Sequence, residues 1–171
     1  MCRLFLVLAL VAVGCSDFRQ HGLSRPPEGL PNLVGRPVPA FALEDVNGSP
    51  LRSDELVGKV LVLDFWHLSC PPCLASAPIL EKIHREFADR GLVVVGLNVR
   101  DDEERVREYG RKRGYTYRLA CHPDEFKRAC GVMMLPTFVI VDRAGIVRQV
   151  FVGDDNLEAK LTEVVGALLK E

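Results

Sequence analysis

Continuous apolar runs rich in β-branched residues occur at Val60-Leu61-Val62-Leu63 and at Leu92-Val93-Val94-Val95-Gly96-Leu97, the pattern of strands covered on both faces in the middle of a parallel sheet. A third run, Phe138 to Val141, is turned back by Asp142-Arg143-Ala144-Gly145 into Ile146 to Phe151, which predicts an antiparallel pair. Elsewhere the spacing is helical. Leu80, Ile83 and Phe87 recur toward a stop at Gly91, interrupted by Pro78. A polar helix near 103–113 turns Val106 and Tyr109 inward, a short one covers 124–129, and Leu157, Leu161, Val164, Val165 and Leu168 mark a terminal helix. Tyr117 to Ala120 adds a weaker strand. Phe41 to Leu43, the turn signal Asn47-Gly48 and Leu51 read as a short hairpin, after which Ser53 is placed to cap a brief helical turn. This order predicts an α/β fold: a central mixed sheet flanked by helices on both faces, with an N-terminal β-hairpin extension.

The first residues follow a different pattern. Arg3 precedes an apolar run, Leu4 to Val13, too short to span a bilayer comfortably but the length of the hydrophobic part of an export signal. It ends in Ala12-Val13-Gly14-Cys15, which resembles the lipobox of bacterial lipoproteins. Residues 1–14 are therefore expected to be a signal peptide of lipoprotein type, with Cys15 lipidated and anchoring the protein in the bacterial cell envelope, facing the periplasm or the cell exterior. An uncleaved anchor and an ordinary signal peptide are the alternatives. Residues 15–35 hold Pro26, Pro27, Pro31, Gly22, Gly29 and Gly35 without apolar periodicity, which predicts a tether, and 36–171 is the expected domain.

Composition narrows the function classes. A length of 171 residues suits one domain with a real core. A formal charge of −1 leaves no basic excess, so nucleic acid is not an expected partner. Six cysteines are present. If Cys2 leaves with the signal and Cys15 carries lipid, the others divide into Cys70 with Cys73 and Cys121 with Cys130, an even set that suits an oxidising compartment. A structural Cys121–Cys130 disulfide across the short helix is the expectation, two separate buried thiols the alternative.

The candidate chemistry lies in Asp64-Phe65-Trp66-His67-Leu68-Ser69-Cys70-Pro71-Pro72-Cys73. Two cysteines at this spacing, where a strand hands over to a helix, can close a small disulfide ring. The unpaired N–H groups and macrodipole of the helix start favour a thiolate on Cys70, making it the attacking sulfur and Cys73, one turn inside, the resolving one. A zinc site would need four ligands; Cys121, His122 and Cys130 do not form a second knuckle of the usual spacing. No cofactor or metal is expected. Asp64, at the end of a buried strand, should have a raised pKa. Trp66 reads as a packing platform, and His67 has no assigned role.

These motifs, with Leu135-Pro136-Thr137 ahead of a hydrophobic strand and Pro78 five residues past Cys73, resemble the thioredoxin superfamily and, within it, the membrane-tethered TlpA/ResA-like thiol-disulfide oxidoreductases, over about residues 36–169. The resemblance implies a thioredoxin-like fold, a cis Pro136 beside the disulfide, a Leu135 backbone that pairs with a partner's extended chain, and a substrate-binding rim of Trp66, Pro71, Pro72, Leu135 and Pro136. It also implies that Asp64 lies beneath Cys73 and exchanges a proton with it. The implied partners are cysteine-containing proteins of cytochrome c or copper-site maturation and a membrane electron donor. Three positions depart from the family pattern: Ser69 stands where a second tryptophan is common, His67 replaces a small residue, and Ser76 replaces a glutamate frequent in this branch. A copper-delivery metallochaperone of the same fold and a thiol peroxidase are the competing functions.

Overall fold

The computed structural model of the protein describes residues 33–171, so the expected signal peptide, Cys15 and most of the expected tether lie outside the described residues. Strand β3 (Val60–Trp66) is buried at every position, as its continuous apolar run requires. It pairs in parallel with β4 (Leu92–Asn98) on one side and antiparallel with β6 (Thr137–Val141) on the other. Beyond these lie β5 (Arg118–Cys121), parallel to β4, and β7 (Val147–Val152), antiparallel to β6, giving the order β5-β4-β3-β6-β7.

The steps β3 to β4 to β5 move in one direction across the sheet. Right-handed crossovers therefore put their helices, α1 (Pro71–Phe87) and α2 (Glu103–Arg113), on the same face. Leu80, Ile83 and Phe87 of α1, Val106 of α2, and Leu157, Leu161 and Val165 of α4 (Leu157–Leu168) pack there against Val60, Val62 and Trp66. The opposite face, carrying Leu61, Leu63 and Phe65, is covered by Phe126 of α3 (Asp124–Ala129) together with Leu33, Phe41 and Leu51.

The hairpin β1 (Ala42–Glu44) and β2 (Pro50–Arg52) shields the β5 edge. Val46 N donates to Leu119 O at 2.8 Å, and Arg118 joins Asp45 by Nε at 2.9 Å and Pro50 O by Nη2 at 2.6 Å. Burial alone would raise the Asp45 carboxyl, but the Ser49 amide and Arg118 hold it below its usual value.

Four details differ from the sequence expectation. Helix α1 runs unbroken through Pro78, and a separate 3-10 turn at Ala88–Arg90 carries it to the left-handed Gly91. Ser53 Oγ does not cap the turn that follows it; it accepts from Phe41 N at 3.1 Å and so closes the base of the hairpin. Leu33 is already in the core and Gly35 N donates to Val147 O, so the folded body starts ahead of residue 36. The expected Cys121–Cys130 disulfide is absent and both thiols are free. The reason is topological: Cys121 packs with the α1 face of the sheet and Cys130 is buried with the α3 face. Burial and then the nearby acids raise the Cys121 thiol to about 11, and burial raises Cys130 to about 12, so neither is a thiolate at neutral pH.

Two predictions come from this packing. An added Cβ at Gly96 would meet Leu119 Cδ2 at 2.7 Å, Trp66 Nε1 at 3.1 Å and Tyr117 Cε2 at 3.2 Å. Gly96→Ala is expected to cost about 1–3 kcal/mol by urea denaturation, as overpacked cores do; an unchanged midpoint would contradict the crowding. For the thiols, mass spectrometry of the oxidised, denatured and alkylated protein is expected to find Cys121 and Cys130 each carrying a label. A peptide linked through the pair would restore the disulfide.

Candidate active site

Strand β3 ends at Trp66 and α1 begins at Pro71, so the intervening turn sets the position of the first cysteine. Three successive amides in that turn have acceptors. Leu68 N donates to Asp101 Oδ2 at 2.7 Å, Ser69 N to His67 Nδ1 at 3.1 Å, and Cys70 N to His67 O at 3.2 Å. Cys70 is the N-cap residue in extended conformation, and Pro71 and Pro72 fill the first helical positions, where a missing N–H costs nothing. The next amide, Cys73 N, donates to Cys70 Sγ at 3.3 Å. The helix start therefore directs a hydrogen-bond donor and the positive end of its dipole at the outer sulfur.

Cys70 and Cys73 are joined in a disulfide. Cys70 keeps 7% exposure and Cys73 only 1%, which orders the pair from outside to inside. Alternation along β3 puts Asp64 on the face of Val62 and Trp66, the one that packs with both cysteines. Burial raises its carboxyl well above the ordinary value, and its Oδ1 has no hydrogen-bond partner. Trp66, whose Nε1 is also unpartnered, leans on Tyr109 with ring centroids 5.6 Å apart. Tyr109, Tyr115 and Tyr117 continue the aromatic layer, and burial, then Asp64, pushes the Tyr117 phenol up.

The Leu135–Pro136 bond is cis. Pro136, Pro72, Ala75, Ile79 and Phe138 line a cavity of about 310 Å3 beside the helix start. On the other side of Leu135 in the chain, Met133 and Met134 are 81% and 53% exposed, an adaptable apolar surface in the loop that leads into β6. Ser76 is turned inward, donating from Oγ to Cys73 O at 2.8 Å. The first carboxylate of α1, Glu81, is engaged by Thr116 and Arg85.

Cys70, Cys73, Pro71, Pro72, Leu135 and Pro136 thus converge on one end of the sheet, with Trp66 and Asp64 behind them, whereas Cys121 and Cys130 are outside the group. Sequence reading missed Asn98 and Asp101. The spacing Asn98-Val99-Arg100-Asp101 after a strand signals an Asx-type turn, but nothing in the chain order says that Asp101 reaches Leu68.

The comparisons agree with this geometry. The Redoxin family model matches residues 33–168. Among curated relatives, the thiol:disulfide interchange protein DsbE of Yersinia pestis is 31% identical over 159 residues, covering 90% of this chain and 82% of that protein. The thiol-disulfide oxidoreductase ResA of Halalkalibacterium halodurans is 28% identical over 121 residues, covering 70% of this chain and 69% of its own length. A crystal structure of a thiol:disulfide interchange protein of the thioredoxin family from Chlorobium tepidum superposes with a TM-score of 0.72 at 29% identity, over 78% of this chain and 95% of that one. The chain belongs to the Redoxin family, as a thioredoxin-like thiol-disulfide oxidoreductase of the ResA/DsbE type.

Proposed function

We propose that the protein reduces disulfides in partner proteins outside the cytoplasm, in the manner of cytochrome c or copper-site maturation, held at a membrane by a lipid on Cys15 and recharged by a membrane dithiol donor. One disparity carries this reading: Cys70 caps a helix and receives an N–H, while Cys73 is shut in the core on the same sheet face as an unpartnered carboxyl. The relatives' names support the reaction class, and the lipobox-like Ala12-Val13-Gly14-Cys15 supports the location. Among the described residues, no helix is long and apolar enough to cross a membrane.

The Cys70 thiolate attacks one sulfur of a partner disulfide, forming a Cys70–partner bond and releasing the partner's other sulfur as a thiolate. Cys73 then gives its proton to Asp64 and attacks Cys70 Sγ, which expels the second partner thiolate and leaves the Cys70–Cys73 disulfide. The donor returns two electrons and two protons. The partner's chain lies along Leu135, with Met133 and Met134 beneath its apolar side chains. Burial gives Asp64 its use: a carboxyl with a raised pKa is a better acceptor for a thiol proton near neutral pH than an exposed one.

Cys73→Ser is expected to accumulate mixed disulfides on Cys70, visible by non-reducing electrophoresis and mapped by mass spectrometry; trapping through Cys73 in Cys70→Ser instead would reverse the roles. For Asp64→Asn, stopped-flow resolution of a mixed disulfide should slow by about 10²-fold or more, most strongly near neutral pH. The same variant should be more stable than the parent at pH 7. A carboxyl whose folded pKa is raised favours folding only while protonated, so the parent loses stability as pH rises from its unfolded value toward its folded one, and the difference closes in acid. A variant both slower and more stable separates proton transfer from damage; an unchanged resolution rate excludes it.

A further inference from the structure

Asp101 is the buried acid nearest in the chain of hydrogen bonds to the Cys70 turn, and the thiol-exchange scheme makes no use of it. It lies just past β4, 6% exposed. Its Oδ2 accepts from Leu68 N at 2.7 Å and from Asn98 Nδ2 at 3.0 Å. Asn98 is fully buried and fixes the other end, its Oδ1 accepting from Asp101 N at 2.7 Å and from Arg100 N at 3.0 Å. The last turn of the parallel β3–β4 pair is thereby coupled to the residues before Cys70: Val99 N donates to Trp66 O, Leu68 N to Asp101, and Cys70 N to His67 O. Two cationic or ionisable side chains face the carboxylate, Arg105 with Nη1 3.8 Å from Oδ1, and His67. Burial alone would raise this carboxyl, but the Leu68 amide, Asn98, Arg105 and His67 hold it below its usual value, so it is charged at neutral pH.

We propose that Asp101 is a positioning residue with an electrostatic effect: one oxygen holds the Cys70 turn in place, and the negative charge behind that turn opposes the thiolate on Cys70, keeping the dithiol reducing. The inference rests on the thiol-exchange reading above. The sign follows from charge alone. The α1 N-terminus stabilises the Cys70 thiolate, a fixed anion behind the same turn destabilises it, and a less stable reduced form means a lower reduction potential. Both contributions act on one sulfur, so the potential reflects their difference. Position and charge are also separable. Leu68 N and Asn98 Nδ2 both donate to the same oxygen, Oδ2, so an asparagine with its carbonyl there keeps both hydrogen bonds and removes only the charge and the Arg105 contact.

The test measures, for the full chain, the equilibrium constant with reduced and oxidised glutathione and the thiol pKa of Cys70 by thiolate absorbance in a Cys73→Ser background. Asp101→Asn should lower the thiol pKa and shift the glutathione equilibrium toward the reduced protein on the order of three- to fivefold, the effect of removing one partly screened charge in a medium between protein and water. Arg105→Gln, an exposed change that leaves the carboxylate less compensated, should shift it the opposite way. Asp101→Ala should slow turnover with a partner disulfide beyond what Asp101→Asn does, because it alone frees Leu68 N. Shifts of equal sign in the Asn and Gln variants, or none in either, overturn the inference. Should Asp101→Asn fail to fold, the Gln variant still decides the sign of the charge effect. A parent protein that does not exchange with glutathione would instead defeat the thiol-exchange reading itself.

Discussion

Asp64 is carried into the core because β3 is covered on both faces, and a carboxyl placed there without a partner cannot ionise cheaply. Most of the site follows from that burial. The same strand that hides Asp64 ends in Trp66, and the turn after it delivers Cys70 to the first position of α1, so one continuous segment sets the inner acid, the packing floor and the outer sulfur. The two cysteines are one helical turn apart in sequence but differ in surroundings: one accepts an amide at the helix mouth, the other is enclosed against the sheet. Their chemical inequality is a property of the backbone path.

The rest of the sheet makes this arrangement rigid. Parallel pairing to β4 and antiparallel pairing to β6 fix β3 from both sides, and each neighbour contributes at its end nearest the disulfide. β4 ends in Asn98 and leads to Asp101, which anchors the turn before Cys70. β6 is preceded by Leu135 and Pro136, and Pro136 shares a cavity with Pro72 at the start of α1 on the other flank. Gly96, opposite Asp64 in register, leaves room for Trp66, Tyr117 and Leu119 to close over the site from the β5 side. Space given up at one residue is taken by three larger ones.

Much of this was legible in the sequence because it depends on local pattern. The fully apolar run at Val60–Leu63 gave the central strand, the Cys-Pro-Pro-Cys spacing gave the helix start, and the Leu135-Pro136-Thr137 motif placed the facing loop. What escaped was long-range or side-chain-specific. The Asp101–Leu68 hydrogen bond spans 33 residues, and pairing at that distance is decided by topology, not by composition. The Cys121–Cys130 expectation came from counting thiols; it failed because the chain between them crosses from one face of the sheet to the other, which a count cannot register. Ser53 looked like a helix cap because its spacing suits one, yet its hydroxyl is taken by Phe41 N in the hairpin.

The central claim, that Cys70 and Cys73 act as a reductant of partner disulfides, is tested most directly by the equilibrium reduction potential of this pair in glutathione buffers. The account predicts a reducing value, nearer to that of thioredoxin, about −270 mV, than to that of a strong oxidant such as DsbA, about −120 mV. A potential close to the oxidant's would contradict it, since the pair would then donate its disulfide to partners instead of removing theirs.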